Sequence, residues 1–238
     1  MRSSVFKLVL LFLVAGLLVI GVKAKVSRSF FSDTESQTAN TISTATSFEP
    51  PTADHVVISE VQIAGSNADD DFIELYNPTN SAINLAGSRL VKRTSSGATD
   101  TDIKVFGSSD SIPAHGYYLW CNTGLNSLLS CDAQSTDTLS NHNSFALRYG
   151  PRDSGTIIDA VTLGSPAHPL GEGTALSAPP AGSSVERKAL STSTAATMGV
   201  GGADEFKGNG FDSNNNSTDF ILRSVSQPQN SGSPIEIP

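Results

Sequence analysis

Only two cysteines, one tryptophan and four histidines occur in 238 residues, and each scarcity removes a class of chemistry. A structural zinc site needs four ligands gathered at fixed spacing. Here Cys121 and Cys131 stand alone, and His55, His115, His142 and His168 are scattered through turn-like sequence. There is no Gly-x-Ser-x-Gly elbow, phosphate-cradling glycine loop, dinucleotide fingerprint or His-Glu-x-x-His helix. His142 follows Asp137 closely, but no nucleophile accompanies the pair. No stretch carries the apolar period of a long amphipathic helix. Basic residues are also few, 15 against 23 acidic, and Arg2, Lys7, Lys23, Lys25 and Arg28 all fall within residues 1–29, which hold no acid. The remainder has ten basic against 23 acidic residues, a charge of -13. A field of that sign repels phosphate backbones and anionic lipid, which disfavours nucleic acid and favours cations or basic partners. A local basic spot would have to form from Lys92 and Arg93, or from Arg148, Arg152, Arg187 and Lys188.

What is present begins with an export pattern. Basic residues precede an apolar run from Leu8 to Val22, and small or polar residues follow. That run is short of the roughly 17–25 residues of a spanning helix; Val5 and Phe6 can lengthen it, so an uncleaved anchor is the alternative. Residues 1–29 read as a signal peptide with cleavage between Ser29 and Phe30. The segment that follows, "FFSDTESQTANTI", resembles the start of camelysin and TasA-type exported proteins through Phe31, Ser32, Asp33, Glu35, Asn40, Thr41 and Ile42. The resemblance implies processing by an endoplasmic-reticulum-type signal peptidase and a secreted or cell-surface location. The plain alternative is a Ser/Thr-rich linker after an ordinary signal. Membrane contact is expected only through an uncleaved N-terminal segment.

Residues 30–53, rich in Ser, Thr and Ala and ending near Pro50-Pro51, read as a flexible linker. Residues 54–230 read as one folded domain, and residues 231–238 as a disordered tail. Within the domain, ten short strand candidates are separated by turn residues: 55–63, 71–77, 82–85, 89–93, 103–106, 116–121, 144–150, 156–163, 183–188 and 219–224. Many short strands without intervening helices predict an all-β antiparallel sandwich. The tracts 164–182 and 189–206 are too rich in Pro, Gly, Ser and Ala to be regular. In an exported chain the two cysteines, ten positions apart, favour a disulfide over two free thiols, worth roughly 2.5–3 kcal/mol by loop entropy.

Glu60 in "ISEV" and Glu74 in "DFIELYN" lie inside strand candidates. By period two, Phe72, Glu74 and Tyr76 share one face, and Val56, Ile58, Glu60 and Gln62 share one face of their own strand. Paired strands would bring both glutamates to one side of a sheet. Two close carboxylates suit glycoside hydrolysis, and they equally suit cross-strand or backbone bonding or a cation. "GFDSNNNSTDF" offers Asp212, Asn214, Asn216 and Asp219 as hard oxygen donors for calcium. Ser217 and Arg223 stand where an EF-hand needs its glycine and bidentate glutamate, so only a looser site is admitted, against a polar Asx-turn loop. Asp69, Asp70 and Asp71 offer a second acidic tract.

The order "VVISEV", "DFIELYNPTNSAINLAGSRL", "IPAHGYYLW", "SFALRYGPRDSGTIIDAVTLG", "SSVERK" and "GNGFDSNNNSTDFILRSVSQPQN" resembles the lamin tail domain over most of residues 55–230. Ser88 and Arg89 depart from it where an aromatic residue is usual, and the two cysteines are additional. The resemblance implies an immunoglobulin-like β-sandwich in which Glu60, Glu74 and Asn77 are scaffold residues and no chemistry resides. The expected function is non-catalytic binding or assembly in the envelope or matrix, with protein, wall polysaccharide or further copies as partners. The alternative is an accessory module for a separate extracellular hydrolase or nuclease, because such domains are often fused to such enzymes.

Overall fold

The structure, a computed structural model, describes residues 52–125 and 130–238. The signal region, Ser29, Phe30 and nearly all of the linker lie outside the described residues. The strands are β1 (Val57–Gln62), β2 (Phe72–Tyr76), β3 (Ile83–Asn84), β4 (Ser88–Arg93), β5 (Thr101–Val105) and β6 (Ser111–Ile112). There follow β7 (Tyr117–Asn122), β8 (Ala133–Ser135), β9 (Ser144–Tyr149), β10 (Thr156–Thr162), β11 (Ser184–Arg187) and β12 (Phe220–Arg223), with one helical turn, α1 (Asn216–Asp219). One sheet runs β12-β11-β1-β2-β7-β8, the second β10-β9-β4-β5, and β3 pairs β6 in a small ribbon. The pairings are antiparallel except β7 with β8, which is parallel. All ten expected strands form; the very short β6 and β8 carry too few residues for a pattern to show.

Alternation explains the core. Ile73 and Leu75 of β2, Ile58 and Val61 of β1, and Tyr118 and Trp120 of β7 meet Leu90, Phe145, Leu147 and Val161 of the other sheet. The opposite face of the large sheet is buried too, with Val57, Tyr76 and Tyr117 in one cluster and Phe72, Leu119 and Cys121 in another. The Cys121–Cys131 disulfide forms, with Cα atoms 5.9 Å apart, and ties β7 to the approach to β8.

One expected face assignment is corrected. A β-bulge between Ile58 and Glu60 inserts Ser59 and shifts the phase, so Ile58 opposes Leu75 in the core while Glu60 opposes Glu74 on the outer face. A single extra residue exchanges the two sides of a strand. The expected disordered tail is also corrected, because residues 231–238 are bonded to the sandwich. Ser231 Oγ donates to Asp132 at 2.5 Å, Glu236 N–H to His115 O at 3.0 Å and Gly208 N–H to Ile237 O at 3.2 Å. Order likewise extends to Thr52, which bridges to Phe211.

Candidate functional site

Strands β11, β1 and β2 place Glu186, Glu60 and Glu74 directly opposite one another in successive strands. Like charges in that position repel. The side chains of Glu60 and Glu74 are 1% exposed and Glu186 is 8% exposed. Burial pushes Glu60 up to about 8, helped by neighbouring Glu186. Burial and then Glu60 raise Glu74 well above the carboxylate range. Glu186 is pushed up to about 7 by burial, against the pull of Arg223.

Each carboxylate has donors of its own. Ser184 Oγ and the Gln227 N–H donate to Glu60, the latter at 3.3 Å. Ser59 Oγ, presented by the bulge, donates to Glu74 at 2.5 Å, and so does the Gln229 N–H. Asn209 Nδ2 at 3.0 Å and Arg223 Nη1 donate to Glu186. The segment after β12 therefore forms a strap across the outer face, which the two glutamates hold by its backbone. Further along it, Tyr76 Oη donates to the Glu236 carbonyl at 2.5 Å and Tyr117 Oη to the Glu236 carboxylate at 2.6 Å. Gly208 is required beneath this crossing: a Cβ there would lie 1.8 Å from Tyr76 Oη. Beside the ladder a cavity of about 210 Å³ opens, lined by Glu186, Asp204, Glu205, Phe206, Lys207 and Glu236 among others, but not by Glu60 or Glu74.

Asn77 organises the turn after β2. Its Nδ2 donates to Ser81 O at 2.8 Å, Pro113 O at 2.9 Å and Ile112 O at 3.1 Å, and its Oδ1 accepts from Thr79.

The four calcium candidates do not turn to one point. Asn216 spends its amide on the edge of β10, accepting from Thr162 N–H at 3.0 Å and donating to Ala160 O at 2.9 Å. Asn214 is exposed, in the left-handed region at φ 57°. Asp219 accepts from Ser213 and Asn215. Asp212 and Asp219 converge with Glu172, and Asp212 also with His55 and Asp159, ligand atoms in each group lying within 4.8 Å of one another. Burial, then Asp159 and Asp212, push Glu172 up to about 8. In the other acidic tract, Asp70 accepts from Ser66 and Asn67, and Asp71 from Leu139 N–H.

Between these acids sits Arg187, fully buried. Its Nη2 is 2.9 Å from both oxygens of Asp159, and its Nη1 is 3.4 Å from Asp212 and 3.8 Å from Asp219. Its Nε donates to Ile58 O at 3.0 Å while Asp159 accepts from Ile58 N–H at 2.5 Å. The pair thus satisfies the β1 backbone beside the bulge. Sequence reasoning placed Arg187 in a surface spot; its phase with inward Val185 in β11 was the available signal. The basic residues weighed as local spots are each answered by an acid: Arg148 and Arg93 share Asp100, Lys92 pairs Asp137 and Arg152 pairs Asp153. His142 accepts from Ser165 N–H.

The Lamin Tail Domain family model matches residues 49–165. Among solved structures, the chain is similar to a DUF4876 family protein from Bacteroides thetaiotaomicron, with 12% identity, a TM-score of 0.51, and coverage of 78% of this chain and 74% of that one. That likeness concerns the fold. No curated protein sequence matches the chain.

Proposed function

We infer, from a chain that carries a lamin tail domain over residues 49–165, that it is an exported, non-catalytic β-sandwich module which binds or assembles at the cell surface or in the extracellular matrix. The observation that carries this reading is the roofed carboxylate ladder. A hydrolytic pair must present its oxygens to substrate and to water. Glu60 and Glu74 instead hold the Gln227 and Gln229 backbone, as scaffold residues do. The Cys121–Cys131 disulfide supports an oxidising compartment. Among the described residues no helix is long and apolar enough to cross a membrane.

The test is to express the full chain, recover it from medium and surface fractions, and challenge it with a panel of glycans. The expected result is an intact mass starting at Phe30, retention on the surface or in the medium, and no turnover. Hydrolysis that disappears with Glu74→Gln would overturn the non-catalytic reading. A mature chain beginning at Met1 inside the cell would overturn export.

A further inference from the structure

The cavity beside the ladder holds more negative charge than its own cations answer. Arg223 pairs Glu186, and Lys207 pairs Asp204 at 3.2 Å. Among the described residues Glu205 and Glu236 form no ion pair. Burial raises the Glu236 carboxyl and Glu205 beside it adds to the shift, against bonds from Tyr117 and Gln229. At the rim Phe206 is 75% exposed. An aromatic ring beside carboxylates is the combination that holds a guanidinium or ammonium group.

A second concavity, of about 420 Å³, adjoins the first, since Gln227 lines both. It lies between β12 and the 195–200 loop, and its apolar members Val200, Leu222 and Val225 are 83%, 53% and 69% exposed. The acidic cavity is smaller than the roughly 300–1,000 Å³ of small-molecule sites, which suits one long side chain. Residues 30–238 carry a charge of -13, so a basic partner is attracted and a second copy repelled.

We propose that the two concavities form one docking site for an extended segment of a partner protein, with an arginine or lysine side chain in the acidic cavity and an aliphatic neighbour along Val200, Leu222 and Val225. This rests on the reading of the chain as a binding module and names its partner's chemistry. Phe206 caps the cation, and Glu205 and Glu236 supply the charge.

The experiment is calorimetric titration of the full exported chain with acetyl-Ala-Leu-Arg-Val-Ala-amide and with its citrulline analogue, which keeps the shape and loses the charge. The expected result is at least about tenfold tighter binding of the arginine peptide. Phe206→Ala, Glu205→Gln and Leu222→Gln should each weaken it several-fold at an unchanged melting temperature, because these side chains are exposed or half-buried. Equal affinity for both peptides, no binding of either, or variants that bind like the parent would overturn the proposal. So would binding of a deacetylated glucosamine oligomer in its place. If either happens while the chain still locates to the surface without turnover, this site falls and the module reading stands.

Discussion

Removing the Arg187 guanidinium would leave Asp159, Asp212 and Asp219 facing one another without their shared cation. Breaking a buried ion pair from one side costs about 3–5 kcal/mol, since the remaining charges stay desolvated. Arg187→Met keeps an apolar stem but loses the guanidinium's bonds to Ile58 O and Phe211 O and its stacking on the Phe220 ring, so its deficit in a urea titration reports the whole guanidinium. A loss below about 1 kcal/mol would mean that the aspartates neutralise themselves by taking up protons. The glutamate ladder makes the complementary prediction in pH. The folded state raises Glu60 to about 8 and Glu186 to about 7, and Glu74 well above its ordinary 4.5. Between about pH 4.5 and 8 the folded chain therefore holds protons that the unfolded chain has lost. Stability falls as pH rises through that window, by up to about 1.4 kcal/mol per pH unit for each proton retained. Glu60→Gln removes one titrating group, so it should flatten the profile and raise the melting temperature at pH 8 more than at pH 5. An identical slope in parent and variant would show that Glu60 is not the group responsible.

At the level of elements, the strap and the disulfide fasten segments that alternation alone does not specify. Truncation after Asn230 removes the bonds from Tyr76 and Tyr117 to Glu236 and those joining Glu236 and Ile237 to His115 and Gly208. At about 0.5–1.5 kcal/mol for each of these four hydrogen bonds, the loss expected in chemical denaturation is about 2–6 kcal/mol; an unchanged midpoint would show that the tail is dispensable. Reduction of Cys121–Cys131 should cost roughly 2.5–3 kcal/mol on loop entropy, and the protein should stay folded with two thiols newly reactive. These attachments also explain how far the sequence could be read. Strands such as β2 and β9 declare themselves because aliphatic and aromatic residues alternate over five or six positions. The same pattern brought Glu60 and Glu74 to one side of a sheet only if their strands pair, and it put Ile58 and Glu60 on one face, because a bulge is one residue with no compositional mark. Tail residues such as Ser231 and Gly232 are turn formers, so composition reads them as loose; their order comes from the strand edges and tyrosines they meet, which are distant in sequence.

Across the whole molecule, the acidic field and the exposed docking surface predict opposite responses to salt. The large sheet ends in β12 and β8 and the small one in β10 and β5; β10 is already covered where Asn216 and Leu176 bond Ala160 and Thr162, so an added strand would have to use β12, β8 or β5. Self-assembly through those edges must overcome repulsion between copies that each carry -13 over residues 30–238. Raising ionic strength from about 0.01 to 1 M shortens the Debye length from about 30 to 3 Å, so assembly of that kind should strengthen with salt. Capture of an arginine side chain by Glu205 and Glu236 should weaken over the same range, because the attraction is screened while the aliphatic contact is not. Sedimentation velocity on the exported chain, run with calcium and with chelator at both ionic strengths, separates the cases. A monomer throughout, with peptide affinity falling as salt rises, is the expected outcome and places function in the docking surface. Large species that grow with salt would move function to the sheet edges. A calcium-dependent change in either property would instead direct attention to the convergence of Glu172, Asp212 and Asp219, where a divalent cation would compete with Arg187 for the same oxygens.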